Sequence, residues 1–482
     1  MTARPMSPPE ASALLWARLR PYLRPRPRWR ELSLLGLVGL TLWVGSLTLG
    51  TTLNVQAATL AAGQPPPSLD GLIAASRPEL LAIYLLALLG AHLALVVVGR
   101  RTDQILLPTI GLLGGLSLLL MERLPQDLAG RLGGLAQTQL VWLVLGLAAM
   151  TAAGVAIRGD AWLRRYKYTW AAVGVGLLLL TFVLGREVNG QRLTLQIGPF
   201  SGQPTELLKV ILVVFLAGYL SENRPLLVEQ STRVGPFRLP PVPYLVPMVA
   251  MWAIALGVVI VQRDLGAALL LFAVFLLLLY VATARWGYVV LGIAAFIAGG
   301  GLLYAAFGHV RTRVDIWLDP FSRAQEAGYQ VVQALHAFAR GGILGSGLGG
   351  GLPTIGTSLP GGIPEIHTDF PFAALGEELG LIGVLAVLGL YLVLIERGLR
   401  IAASAPDEYR AILAAGLSLV VGVQAFIIAA GNLKLIPLTG ITLPFISYGG
   451  SSLLANGLIV GVLLALSDRG VGAPPAPRRN TS

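Results

Sequence analysis

The sequence predicts an all-α polytopic membrane protein with about twelve transmembrane helices, and three observations carry that prediction. Of the 482 residues, 55% are hydrophobic and only 12% charged, far from the balance of a soluble domain. Twelve apolar runs are long enough to cross a hydrocarbon core of roughly 30 Å, which takes about 20 helical residues. The runs are too long and too uninterrupted for barrel strands, and backbone groups in lipid must be paired internally, so a helical bundle is expected.

In chain order the spans fall at about residues 33–52, 79–98, 105–121, 139–157, 168–185, 204–221, 243–261, 264–282, 287–307, 370–396, 408–430 and 449–467. Arginines set their orientation. Residues 1–31 carry Arg4, Arg18, Arg20, Arg24, Arg26, Arg28 and Arg30, and the even-numbered connections supply Arg100 and Arg101, IRGDAWLRRYK at 157–167, Arg224, Arg233 and Arg238, Arg285, and ERGLR at 396–400. Basic loops stay inside, so both termini of a multi-pass protein are expected in the cytoplasm. The same pattern explains the net charge of +11 without nucleic acid. About thirty polar and proline-containing residues precede the first apolar run, which argues against a cleaved signal peptide. ASALLWARLRPYL within them reads either as a surface helix anchored by Trp16 or as a basic tail.

With that orientation the longest loop, about 308–366, lies outside. Inside it, RAQEAGYQVVQALHAFARGG reads as one helix ended by the glycines that follow. Residues 469–482 read as a disordered cytoplasmic tail. Cysteine is absent, so neither disulfides nor thiolate metal sites are available, and no strong internal repeat supports an inverted-repeat transporter layout.

An ionisable residue in a span costs a few kcal/mol and calls for an explanation. Glu206 and Lys209 share a face of the sixth span, either as a self-neutralising ion pair or with Lys209 turned to an anionic ligand; Arg192 and Gln203 lie in the loop before them. Asp264 opens the eighth span as a helix cap. In PEIHTDFPFAALGEELG, Asp369 is the natural N-cap of the tenth span, preceded by His367 and Thr368. A regular helix puts Glu377 and Glu378 roughly 12 Å deeper, where at least one needs a partner. The prolines and glycines before Ser451 and Ser452 open the twelfth span with amides that could hold an anion, or with small residues for close packing.

Together, NGQRLTLQIGPFSGQPTELLKVILVVFLAGYL, QRDLG, GYQVVQALHAFARGGILGSGLGGG, PEIHTDFPFAALGEELGLIG and GITLPFISYGGSSLL resemble, in the same order, the SEDS family (shape, elongation, division and sporulation) of RodA and FtsW cell-wall proteins. The resemblance covers about residues 105–468 and leaves two additional spans, within 32–104, in front of a ten-helix core. It implies a peptidoglycan glycosyltransferase that polymerises lipid II on the outer face of the membrane for elongation or division. The implied partners are a class B penicillin-binding protein and other proteins of the elongation or division complex. By motif matching, the family's essential aspartate falls on Asp369, and Glu206, Lys209 and Asp264 line its polar cavity. Departures are Arg263 for a usual proline, Thr205 for serine and Pro371 for an aliphatic residue.

Such a transfer needs a base for the attacking hydroxyl and cations for the leaving diphosphate. Asp369 is the expected base, with Lys209 and Arg192 on the diphosphate, Glu206 orienting Lys209, and Gln203, His367, Thr368, Ser451 and Ser452 contacting substrate. Mg2+ or Mn2+ through Asp264 or Asp369 would fit the oxygen-rich set; no organic cofactor is expected. Two other classes share the polar cavity: a flippase for lipid-linked precursors, and a non-catalytic scaffold for the penicillin-binding protein.

Overall fold

A computed structural model describes residues 25–60, 77–124, 134–157, 161–188, 191–197, 200–229, 232–234, 237–239, 242–351 and 362–468. Each of the twelve expected spans falls on a helix. In chain order the helices are α1 (Trp29–Leu60), α2 (Pro78–Val98), α3 (Leu106–Arg123), α4 (Leu135–Ala156), the short α5 (Ala161–Arg165), α6 (Lys167–Leu184), α7 (Pro204–Glu229), α8 (Val242–Val261), α9 (Leu265–Thr283) and α10 (Trp286–Ala306). There follow α11 (Gly308–Leu318), α12 (Tyr329–Gly341), α13 (Pro371–Ala403), α14 (Glu408–Asn432) and α15 (Gly450–Leu466). The amphipathic N-terminal stretch and the C-terminal tail lie outside the described residues.

The connections hold elements that apolar periodicity does not reveal. Strands β1 (Arg186–Val188), β2 (Gln191–Ile197) and β3 (Phe200–Gly202) form an antiparallel sheet ahead of α7, and β4 (Thr232–Val234) pairs with β5 (Phe237–Leu239) after it. The longest loop contributes α11 as well as α12. The helix expected from Arg323 onward begins only at Tyr329, because a 3-10 turn (Phe321–Arg323) and further turns occupy the residues before it.

Packing follows side-chain size. α15 lies along α4, where Gly457 and Gly146 bring the two backbones together, the small-residue approach that stands in for hydrophobic driving force in a bilayer. α14 is the hub, touching α13, α7 and α9; α1 packs on α3 and α2 on α4, while α10 sits at the edge against α9 and α11.

The two ends of the bundle differ in charge. At one, Arg28 donates to Thr102 Oγ1 at 2.7 Å and to the Asp103 carbonyl at 2.7 Å, and its partner Glu31 also holds His92 Nδ1 at 2.7 Å. Asp103 caps α3 by accepting from the Ile105 amide at 2.8 Å and pairs with Arg397. Arg100 reaches the Ile157 carbonyl and Asp468, and Arg224 pairs with Glu408. The first two helices are thereby clamped to the start of α3 and, through Asp103, to α13.

The opposite end is built around a break in α13. Gly380 has φ 64° and ψ −168°, a conformation that only glycine adopts without strain. The backbone groups released there are bonded by the glycine-rich segment after α12: the Ser346 and Gly347 amides donate to the Glu377 and Glu378 carbonyls at 3.0 and 2.9 Å, and the Leu381 amide donates to Gly342 at 3.0 Å. Irregular backbone at this depth survives because protein covers it. Both glutamates are answered: each is 2% exposed, Glu377 accepting from Arg340 at 2.7 Å and Glu378 forming an ion pair with Arg123 at 2.5 Å.

A Cβ at residue 380 would meet the Gly345 amide and the Ile343 carbonyl, at a φ already disfavoured for L-residues. Gly380→Val is expected to cost at least about 1–3 kcal/mol from backbone strain alone. Thermal unfolding of the purified protein in detergent should show a clearly lowered midpoint, and an unchanged one would count against the break as described.

Candidate active site

At the glutamate end, the start of α7, the starts of α9 and α13, the end of α14 and the loop before α15 surround a cavity of about 150 Å³. Gln203, Glu206, Lys209, Asp264, Asp369 and Thr442 are among its walls. Sequence positions as far apart as 203 and 442 thus meet at the end opposite to the arginine-rich connections.

Lys209 is 2% exposed and donates to Glu206 Oε2 at 2.6 Å, Gln424 Oε1 at 2.7 Å and Asn456 Oδ1 at 3.3 Å. Three acceptors match the three hydrogens of an ammonium group. Both alternatives read from the sequence hold in part: the ion pair exists, and the lysine also borders the cavity. With its hydrogens committed, Lys209 and its partners Glu206 and Gln424 hold one another in place. Gln424 donates onward to the Thr442 carbonyl at 2.8 Å, and Ser452 Oγ accepts from Thr442 at 2.6 Å and from Asn456 at 3.1 Å. Ser451 Oγ accepts from the Gln203 amide at 2.9 Å. The serines therefore bind the wall together, and the start of α15 is committed to packing on α4. Arg192 falls on β2, and its side chain lies outside the described residues.

Asp264 caps α9, accepting from the Ala267 amide at 3.0 Å. Burial pushes its carboxyl up to about 6.

Asp369 does not cap α13. That helix starts one residue later, with Phe370 in the cap position and no side-chain bond there. The cap comes from α14: Asn432 Oδ1 accepts from the Ala373 amide at 3.2 Å while its Nδ2 donates to the Asp369 carbonyl at 3.0 Å. Pro371, at the first helical position, has no amide to satisfy. Relieved of capping, the Asp369 carboxylate borders the cavity, and burial, helped by the charge of Glu365, pushes it up to about 6. Behind it, Ser447 donates to the Thr368 carbonyl at 2.6 Å and the Tyr448 amide to the His367 carbonyl at 2.7 Å. His367 packs on Tyr448, its Nδ1 unpartnered, and burial lowers its pKa against the opposing charge of Glu365. Thr368 donates to Glu365, and its hydroxyl also bonds the Asp369 carboxyl, an interaction that opposes the upward push of burial.

Arg263 and Arg313 bring cationic groups to the same cavity. Arg313, on α11, also donates to the Thr439 carbonyl at 3.2 Å. Sequence reading passed over it because its helix was hidden in the longest loop. Gln424 and Asn456 carried a usable signal, an amide side chain inside an apolar run. A second cavity of about 220 Å³ adjoins the first and shares Arg313, Asp369 and Gly440 with it. On the other side, an apolar groove of about 630 Å³ between α4, α6, α7 and α15, walled by Trp142, Leu177, Leu207 and Leu458, reaches the first cavity at Gln203 and Glu206. Among the described residues no three carboxylates or imidazoles stand close enough to cage a metal ion.

Comparison with known proteins agrees on one kinship. The model of the cell cycle protein family of FtsW, RodA and SpoVE matches residues 103–470. The chain is 40% identical over 384 residues to the peptidoglycan glycosyltransferase RodA of Mycobacterium tuberculosis, covering 78% of this chain and 80% of the relative. It is 34% identical over 341 residues to the probable peptidoglycan glycosyltransferase FtsW of Geobacter metallireducens, covering 70% and 85%. Among solved structures, a chain of a peptidoglycan synthase complex that coordinates polymerization and crosslinking superposes with a TM-score of 0.62 at 27% identity, covering 76% of this chain and 98% of that one. The rod shape determining protein RodA of Thermus thermophilus superposes with a TM-score of 0.54 at 25% identity, covering 78% and 99%.

The double role of Asn432 is testable. Asn432→Ala removes the cap of α13 and the hold on the Asp369 carbonyl, at an expected cost of about 1–2 kcal/mol. The midpoint of thermal unfolding in detergent should fall, and Asn432→Asp, which keeps an acceptor for the Ala373 amide, should recover part of the loss.

Proposed function

Since the chain belongs to the FtsW, RodA and SpoVE family of cell cycle proteins and is a multi-pass peptidoglycan glycosyltransferase, we propose that the paired cavities beside Asp369 polymerise lipid II, with Asp369 as general base. The observation that carries this reading is the position of Asp369, a carboxylate released from capping, partly desolvated and set between two cavities. The 4-hydroxyl of the acceptor sugar attacks the anomeric carbon of the donor. Its proton passes to Asp369, the new glycosidic bond forms with inversion, and the bond to the lipid diphosphate breaks with its electron pair leaving on the diphosphate. A base titrating near neutrality combines availability with proton affinity.

The donor diphosphate lies in the inner cavity, in the positive field of Lys209 and within reach of Arg263 and Arg313, while its polyprenyl chain leaves through the apolar groove at Gln203 and Glu206. Glu206, fixed by Lys209, and Thr442 shape that passage; Arg192, on β2, is a further candidate for the diphosphate. His367, Thr368, Ser451 and Ser452 hold the walls. Mg2+ or Mn2+ fits this donor set only with help from substrate: Asp264 or Asp369 would supply one carboxylate and the diphosphate oxygens the remainder. Bound there, the ion would neutralise charge on the departing diphosphate.

The basic connections put the opposite end of the bundle in the cytoplasm by the positive-inside rule, and the site on the outer face. A class B penicillin-binding protein, and other elongation or division proteins beside it, are the partners this reading calls for, since a solved relative belongs to a synthase complex that couples polymerization to crosslinking.

Asp369→Asn should reach the membrane folded and fail to polymerise purified lipid II; near-normal glycan product would remove Asp369 from the base role. The reaction needs the deprotonated form, so the parent should lose rate as pH falls through about 6, not through the usual aspartate range near 4. Glu365→Gln removes a charge that raises the Asp369 carboxyl, so its acid limb should shift to lower pH. A limb that stays fixed would assign the titration to another group, Asp264 first.

A further inference from the structure

α1 and α2 precede the residues that the family model matches, yet one face of α1 reaches the break in α13. Val38, Leu42, Gly45, Leu49 and Thr52 follow one another at intervals of three and four residues and so share a side of the helix. The first part of this stripe packs on α3, where a Cβ at Gly115 would overlap the Leu42 side chain. The last part extends to the glycine-rich segment after α12. A Cβ at Gly45 would stand 2.9 Å from Leu119 Cδ1 of α3 and 3.4 Å from Leu348 Cδ1, and one at Gly349 would stand 2.8 Å from Leu49 Cδ1 and 3.5 Å from Thr52 Cβ. We infer that α1 is a positioning element for the glycosyl transfer: through Leu49 it holds the glycine-rich segment, and through that segment the half-helix of α13 that follows Asp369.

Three observations carry the inference, which rests on the reading of Asp369 as base. First, the half-helix 371–379, about 13 Å long at 1.5 Å per residue, is cut off from the rest of α13 at Gly380. The Leu381 and Ile382 amides donate to the Gly342 and Ile343 carbonyls at 3.0 and 3.2 Å, and the Ser346 and Gly347 amides donate to the Glu377 and Glu378 carbonyls. Residues 342–347 therefore straddle the break and bond both sides of it. Asn432 holds the Asp369 end of the half-helix, and this segment holds the other.

Second, the segment has little of its own to fix it. Gly345, Gly347 and Gly349 have φ of 82°, 88° and 79°, and glycine gives up more conformational freedom on ordering than any other residue. Leu348 is the single apolar side chain larger than glycine in the run 345–351. It packs at Gly45, and Leu49 covers the glycine that follows it.

Third, α1 is itself tied to the opposite end of α13. Arg28 donates to the Asp103 carbonyl at 2.7 Å, and Asp103 Oδ2 accepts from Arg397 of α13 at 2.8 Å. One helix from outside the family core thus fixes α13 on both sides of its break, and the contact at Leu49 is the one on the side of Asp369.

The test compares two truncations of one stripe in the full-length protein. Leu42 and Leu49 are 0% and 1% exposed, so Leu42→Ala and Leu49→Ala remove the same atoms from equally buried positions, and both should lower the midpoint of thermal unfolding in detergent. Only Leu49→Ala loosens the segment. Its kcat for lipid II polymerisation should fall about tenfold with KM changed less than about twofold, since a reacting group misplaced by about 1 Å can cost about a hundredfold. Leu42→Ala should keep the parent kcat, and Leu49→Met, which refills the space, should recover most of the rate. Parent-like kcat in Leu49→Ala, or an equal loss in Leu42→Ala, overturns the inference. A second measurement needs no turnover. The chain has no cysteine, so spin labels at Pro364→Cys, just ahead of Asp369, and at Leu435→Cys, both exposed, report where the half-helix begins relative to the end of α14. Their distance distribution should broaden in Leu49→Ala and not in Leu42→Ala; an unchanged distribution in Leu49→Ala overturns the positioning role. The two claims separate in Asp369→Asn: continued polymerisation there removes the base, while a distribution that broadens with Leu49→Ala keeps the hold of α1 on the half-helix.

Discussion

The ammonium group of Lys209 ties the site together. A buried lysine is tolerable only when its charge and all its hydrogens are met, and here the partners come from α7, α14 and α15 at once. Satisfying one cation fixes the relative position of three helices. The same network passes through Gln424 and Ser452 to Thr442, so the loop before α15 is held where it closes the cavity. The polar interior, costly in a membrane, is thereby also what specifies the packing around it.

The position of Asp369 depends on a division of labour between two helices. A carboxylate at a helix start would ordinarily spend an oxygen on the first free amides. Here Asn432, reaching from α14, takes that duty, and Pro371 removes one amide from the account. The carboxylate stays beside the helix mouth with its oxygens toward the cavities. Capping and chemistry are both served at this corner of the molecule, by different side chains.

The twelve spans were legible because length and hydropathy alone define a membrane helix, and the carboxylates because a charge in an apolar run stands out. The elements in the connections were not. α11 is polar enough to pass for loop, so Arg313 and Trp317 gave no signal; β1, β3, β4 and β5, three residues each, are too short for alternation to register, whereas β2 carried the signal in Leu193, Leu195 and Ile197 and was passed over. The cap on α13 was misread for a physical reason: local rules see the nearest acceptor, Asp369, and cannot see an asparagine 63 residues away that competes for the same amide. Glu377 and Glu378 announced that partners existed, but Arg123 and Arg340 could be named only after folding brought α3 and α12 alongside.

Those two pairs also impose an order on biogenesis. Arg123, Arg340 and the glycine-rich segment all precede Glu377 in the chain, so during synthesis they emerge from the ribosome before α13 does. The half-helix carrying the two carboxylates is thus delivered to counter-charges and backbone donors that have already been made. Had the order been inverted, Glu377 and Glu378 would have entered the bilayer first and waited there unpaired. The expense of two buried acids is met by when their partners arrive as much as by where they stand.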